Sequence, residues 1–248
     1  MRLSLYLVPY NQEKDQLEIP CDFRRHFMSF IKMMLENTEV FKRFQLEKPG
    51  FSPYVFGVGF NKITNIDREK EVIVINPPVY MEISSGIPEI IASLANGALR
   101  LHGSRTVLNL KLISVNVPPL RIIRKDSALF KIKGHAVLRG ADSYLDPENS
   151  TPYQIEEALN TQLERQVKFF NDEYHTGYSF SPVSFIPTGS LLKKGVCEHY
   201  GGKITTVTGT IALKGQPEML NFIYNFGLGI RTGQGFGLVN VVQSKGDE

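Results

Sequence analysis

Tryptophan is absent from this 248-residue sequence, and cysteine occurs twice, as Cys21 and Cys197. Two cysteines build no disulfide framework and no metal-ligand spacing, so the expectation is free thiols in a reducing cytoplasm, with no metal and no other cofactor. No apolar run approaches the ~20 residues that a membrane-spanning helix needs. The opening Met1-Arg2-Leu3-Ser4-Leu5-Tyr6-Leu7 is too short and too regular for a secretory signal. A large excess of one charge is missing too: 28 Lys and Arg stand against 25 Asp and Glu. So mild a basic balance fits nucleic acid without requiring it, and any RNA-binding face must come from where the charge is placed. Apolar residues make up 42 % of the chain, enough for one large domain or two smaller ones.

Against these absences stands a dense glycine run near the end, Gly227-Leu228-Gly229-Ile230-Arg231-Thr232-Gly233-Gln234-Gly235-Phe236-Gly237. Such a run can take positive φ and present its amides as a concave anion site. Arg231 sits in its middle and could pair with the same charge. A helix-like segment ends at Phe226 before the run, and a short strand follows it. That order is the reverse of a P-loop or a dinucleotide-binding turn, where a strand precedes the glycines, and it argues against a nucleotide pocket. The other reading is a glycine-rich crossover packed close to a neighbouring element.

The rest of the chain alternates strand and helix patterns. Leu3, Leu5 and Leu7 have the period of two of a strand with one buried face. Pro20-Cys21-Asp22 then opens a helix with Asp22 as its expected N-cap, and Phe23, Phe27, Phe30, Ile31, Met34 and Leu35 form its apolar stripe. Arg24, Arg25, His26, Ser29 and Lys32 lie on or beside the other face. Strand patterns cover Phe51 to Phe60 and Glu71 to Ile83, the latter broken near Pro77-Pro78. A helix begins at Pro88, and Leu108, Leu110 and Leu112 alternate in one more strand. The order is β-α-β-β-α-β.

After Pro118-Pro119 the pattern begins again. Phe130 to Leu138 reads as a strand, and Thr151-Pro152-Tyr153-Gln154 supplies a capping box and a first-turn proline for a long helix. Ser181 to Leu192 and Lys203 to Leu213 read as strands joined through a Lys193-Lys194-Gly195 turn and Gly201-Gly202. A short helix, the glycine run and a final strand complete a second β-α-β-β-α-β unit. The expected fold is therefore α+β, two tandem ferredoxin-like (RRM-like) domains over residues 1–118 and 119–248. RNA-binding modules share this topology, which makes RNA the partner class to consider. The candidate contacts are Gly227, Gly229, Arg231, Gly233, Gly235 and Gly237, the Lys193-Lys194 pair, and Arg24, Arg25 and Lys32 on the first helix. A phosphate backbone could follow them.

These residues also carry a family resemblance. The terminal Gly227-x-Gly229 with Gly235-Phe236-Gly237, the opening Met1 to Pro9 strand and the Ile87-Pro88-Glu89-Ile90-Ile91 to Asn96-Gly97 helix resemble the CRISPR-associated endoribonucleases of the RAMP superfamily, which mature guide RNAs from repeat transcripts. The resemblance implies metal-independent cleavage. A 2′-hydroxyl attacks the adjacent phosphate, leaving a 2′,3′-cyclic phosphate and a 5′-hydroxyl. It also implies a repeat-RNA partner, and it leaves association with interference-complex proteins and a homodimer open. Many members carry a catalytic histidine just after the first helix, where this chain reads Phe41-Lys42-Arg43-Phe44-Gln45-Leu46-Glu47-Lys48-Pro49-Gly50. His26, on the first helix, is then the candidate base or acid. Lys32 or Lys48 would steady the charged transition state, Arg231 would hold the phosphate, and His199 is a reserve. The alternatives are a repeat-RNA-binding protein that does not cut, and a structural subunit of an interference complex.

Overall fold

The computed structural model describes residues 1–11, 15–44 and 50–242. Its first sheet contains β1 (Arg2–Pro9), β2 (Leu17–Pro20), β3 (Val55–Asp67), β4 (Val72–Ser84) and β5 (Leu110–Asn116). Strands run in the order β2-β4-β1-β5, with β3 also on β4, and every pairing is antiparallel. The helices α1 (Arg24–Leu35) and α3 (Pro88–Arg100) fill the two crossovers, and a short α2 (Glu39–Arg43) follows α1. Setting the short β2 aside, this is a ferredoxin-like unit. The second sheet repeats it with β6 (Ser127–Ile132), β7 (Ser184–His199), β8 (Gly202–Lys214) and β9 (Val239–Val241), in the order β7-β8-β6-β9. Its crossover helices are α4 (Pro152–Tyr174) and α5 (Pro217–Phe226). The chain is thus a tandem ferredoxin-like α+β protein, and no described helix is long and apolar enough to cross a membrane.

Alternation decides which face of each sheet the helices cover. Leu3, Leu5 and Leu7 of β1 and Val79, Met81 and Ile83 of β4 are buried in one core with Phe27, Phe30 and Met34 of α1. In the second half Phe130 and Ile132 of β6 share a core with Leu159, Leu163 and Phe170 of α4. The residues in between, Ser4, Tyr6, Tyr80, Glu82 and Lys131, face away from the helices and line a common cleft. Gly97 sets the α1–α3 crossing, because a Cβ there would collide with the Met34 carbonyl. α4 begins with the anticipated capping box: Thr151 Oγ1 accepts from the Gln154 amide while the Gln154 side chain accepts from the Thr151 amide.

Several local expectations are corrected. α1 starts at Arg24 with Phe23 in the N-cap position, and Asp22 instead accepts the amide of Tyr200 from the β7–β8 turn, 3.1 Å away. A tertiary partner has taken the carboxylate that would have capped the helix. Lys193 and Lys194 are not a turn: β7 runs through them, paired with Thr208 and Val207, and the chain reverses at Tyr200-Gly201, both at positive φ. β4 passes unbroken through Pro77-Pro78. The strand expected from Phe130 to Leu138 ends at Ile132, after which Ala136 and Val137 make single bridges to Val207 and to Gly229 and Ile230. Leu108 belongs to a short turn before β5 rather than to the strand.

Candidate nucleic-acid interface

The open faces of the two sheets turn toward each other and bound a cleft of ≈ 1490 Å³. On one wall Tyr6 and Tyr80 meet edge to face, ring centroids 5.0 Å apart, with Tyr6 39 % exposed. Phe60, half-buried, extends the aromatic wall along β3. Arg68, Lys131 and Lys203 supply positive charge from three different strands or turns. At the floor Glu82 is held by Arg2 at 3.2 Å and by Lys133 at 3.9 Å, so its charge is offset. Gly57 lets β3 close on the second half of the chain, since a Cβ there would lie 2.9 Å from Leu238. Aromatic faces among basic side chains suit unpaired bases and their phosphates.

The glycine run lies beside this cleft and is largely buried. Several of its amides are spent inside the protein: Leu228 N donates to Gly237 O, Ile230 N to Val137 O, Gly235 N to Thr232 O and Gly237 N to His135 O. Gly227, Gly229, Gly235 and Gly237 all have positive φ, and a Cβ on Gly229 or Gly237 would strike the carbonyl of Val137 or Leu228. Gly235 lies against Phe56, at 3.0 Å from a would-be Cβ, and Gly233 against Ser52. Close packing accounts for the missing Cβ atoms at Gly229, Gly233, Gly235 and Gly237.

Arg24 was expected on the open side of α1 and is found buried. Its Nε donates to Gly235 O at 3.3 Å, and its guanidinium lies over the Phe236 ring at 4.6 Å. Burial presses its pKa down, opposed by contact with Cys197. The charge thus fastens α1 to the glycine run. Arg25 is exposed and 3.8 Å from Asp22. His26 is half-buried and its Nε2 has no hydrogen-bond partner. Burial, and then the charge of Arg25, lower its pKa, with Asp22 opposing. Lys32 is exposed further along α1. Lys48 lies outside the described residues. Lys193 is exposed on β7, and Lys194 is tied to Asp146 at 2.7 Å.

His199, named only as a reserve, is buried at the junction of the two halves. Its Nε2 is 2.8 Å from Gln234 Oε1 and its Nδ1 is 3.7 Å from Asp22 Oδ1. Arg231 Nη1 donates to the same Gln234 oxygen at 2.9 Å, and its Nη2 donates to the Tyr144 hydroxyl at 3.0 Å. Burial lowers the pKa of His199, with Gln234 and Asp22 opposing and Arg231 and Arg24 adding to the fall. His135, whose Nδ1 is 2.8 Å from Thr206 Oγ1, is lowered further, to about 4, by burial and by Arg24. Among the described residues no group of three or more His, Cys, Asp or Glu side chains is placed to hold a metal ion.

The cleft residues Tyr6, Tyr80, Lys131 and Arg68 were missed from sequence. For the first three a signal existed, since each alternates with buried residues on its strand and must face away from the helices. Which side chains of one half would stand opposite which of the other depends on how the two units pack, and that is not in the strand periods.

Residues 128–241 match the family described as CRISPR associated protein Cas6, C-terminal. No curated protein matches the chain in sequence. Among solved structures, a protein described as a Cas6-related gene product from Pyrococcus furiosus superposes with a TM-score of 0.76 at 19 % identity, over 99 % of each chain. A RAMP protein described as binding different RNA substrates gives 0.74 at 17 % identity, over 98 % of this chain and 100 % of the other. A Cas6 product complex gives 0.65 at 13 % identity, over 97 % of this chain and 99 % of the other. Residues 128–241 thus match the Cas6 C-terminal family, and the chain as a whole shares its fold with Cas6-related and RAMP proteins.

Proposed function

We propose that this protein binds CRISPR repeat RNA in the cleft between its two sheets and cuts precursor transcripts into guide RNAs in the cytoplasm, with the joint between its domains at Pro118-Pro119. The observation that carries the reading is the cleft itself: the Tyr6–Tyr80 pair and the Lys131, Arg68 and Lys203 charges on facing walls, in a chain whose residues 128–241 match the Cas6 C-terminal family. Stacked bases contribute about 1–3 kcal/mol each in such sites. The cut is the internal transesterification in which a 2′-oxygen bonds to phosphorus, the bond to the 5′-oxygen breaks, that oxygen takes a proton from water and leaves as a hydroxyl, and a 2′,3′-cyclic phosphate remains.

In this reading His26 takes the 2′-hydroxyl proton. Its lowered pKa keeps the imidazole neutral at pH 7, the form a base requires. Lys32 and Lys48 would counter charge on the phosphorane, and Arg231 would hold a phosphate. His26→Ala should then slow cleavage by about 10²–10⁴-fold with affinity nearly intact. An unchanged rate removes His26 from the mechanism. Because His26 is the base in its neutral form, the wild-type rate should fall as pH drops through its lowered pKa.

A second reading is favoured by one sequence observation: residues 36–50 after α1 hold no histidine. In that case the protein holds repeat RNA without cutting it, alone or within an interference complex. Tight binding with no product, in the same assay, selects it.

A further inference from the structure

Arg231 is the one non-glycine residue with positive φ in the described glycine run, at φ 61°. An L-residue pays for that conformation where glycine would not, so the side chain itself is what the position retains. The guanidinium is also held in place. A guanidinium carries five N–H donors, and two are engaged, one by Gln234 Oε1 and one by the Tyr144 hydroxyl. An arginine only donates, so the Gln234 side-chain oxygen must face it. That oxygen is also 2.8 Å from His199 Nε2, which therefore carries a proton and donates. The result is a chain from His199 on β7 through Gln234 to Arg231 and on to Tyr144. His199 is fixed in turn by ring contacts with Tyr200 at 4.6 Å and Phe236 at 5.3 Å.

We propose that His199, through Gln234, and Tyr144 are positioning residues for Arg231, aiming its remaining donors at an RNA phosphate. The inference rests on the reading of Arg231 as a phosphate-holding residue. It adds that the aim of this charge is set by two other elements, the β7 strand end and the loop around Tyr144. A half-buried guanidinium tethered at two corners loses little freedom when the phosphate arrives, whereas an untethered one must be ordered at that moment.

The test is a double-mutant cycle on repeat-RNA affinity, measured at several salt concentrations. Arg231→Gln should weaken binding roughly tenfold and reduce the salt slope by about one, the signature of one lost phosphate contact. Tyr144→Phe removes a single hydroxyl and should weaken binding in the same direction. His199→Phe keeps a ring against Tyr200 and Phe236 while deleting the donor, and should do likewise, with His199→Gln restoring part of the loss. Either change added to Arg231→Gln should cost nothing further. Additive losses, or full affinity in both positioning variants while Arg231→Gln weakens binding, would overturn the positioning role and leave Arg231 as a phosphate contact. An unchanged slope in Arg231→Gln would overturn both.

Discussion

Replacing Gly229 by alanine tests whether the glycine run is built for close packing. Gly229 has φ +84°, and its Cβ would collide with the Val137 carbonyl, next to Leu138 Cδ2 at 3.0 Å. That carbonyl already accepts the Ile230 amide at 2.9 Å, so it cannot swing away without losing a buried hydrogen bond. Left-handed backbone costs a non-glycine residue about 1–2 kcal/mol. Overpacking adds about 1–3 kcal/mol. The sum is roughly 2–5 kcal/mol, which for a chain of this size lowers Tm by about 4–20 °C. Gly103→Ala is the control, since its φ is +75° and a Cβ there meets nothing within 4 Å. It should cost only the backbone term, about 1–2 kcal/mol. Thermal unfolding of the three proteins, followed by circular dichroism, gives the comparison. Equal losses in the two variants would refute the packing argument, because only Gly229 is in contact.

Two further outcomes follow from buried charge. Arg2→Met deletes a cation that donates to Glu82, Asn240 and the Tyr224 and Val239 carbonyls and lies 4.0 Å above the Tyr224 ring; it should destabilise the protein by about 3 kcal/mol in urea unfolding, and a loss under 1 kcal/mol would contradict the anchoring role. His135 has a folded pKa of about 4, below the unfolded 6.5, so its neutral form favours the fold: its contribution is intact above pH 6.5 and is lost as pH falls from there toward 4, by up to about 3 kcal/mol. His135→Gln should flatten the stability–pH curve in that window, and an unaltered curve would count against the assignment.

Both β-α-β-β-α-β units were legible because helix and strand periods are local. The stripe of Phe27, Phe30 and Met34 and the alternation of Leu3, Leu5 and Leu7 each fix a buried face without reference to the other half. The errors fall where a distant partner decided the outcome. Asp22 left its capping position for the Tyr200 amide, and Arg24, polar and beside an apolar stripe, was drawn under Gly235 and onto Phe236. The glycine run was visible as a run, but whether its amides face solvent or protein depends on Val137, His135 and the loop's own far end. The Lys193-Lys194-Gly195 tripeptide has turn-like composition, yet a long cross-strand pairing with β8 carries it straight through.

The most direct test of the functional account uses a 5′-labelled repeat RNA from the host, incubated with the protein in EDTA beside a copy carrying one 2′-deoxy nucleotide at the cut site. The account predicts a single cut ending in a 2′,3′-cyclic phosphate, and no cut at that position in the deoxy copy. Cleavage that persists in the deoxy copy, or tight binding with both RNAs intact, would contradict it.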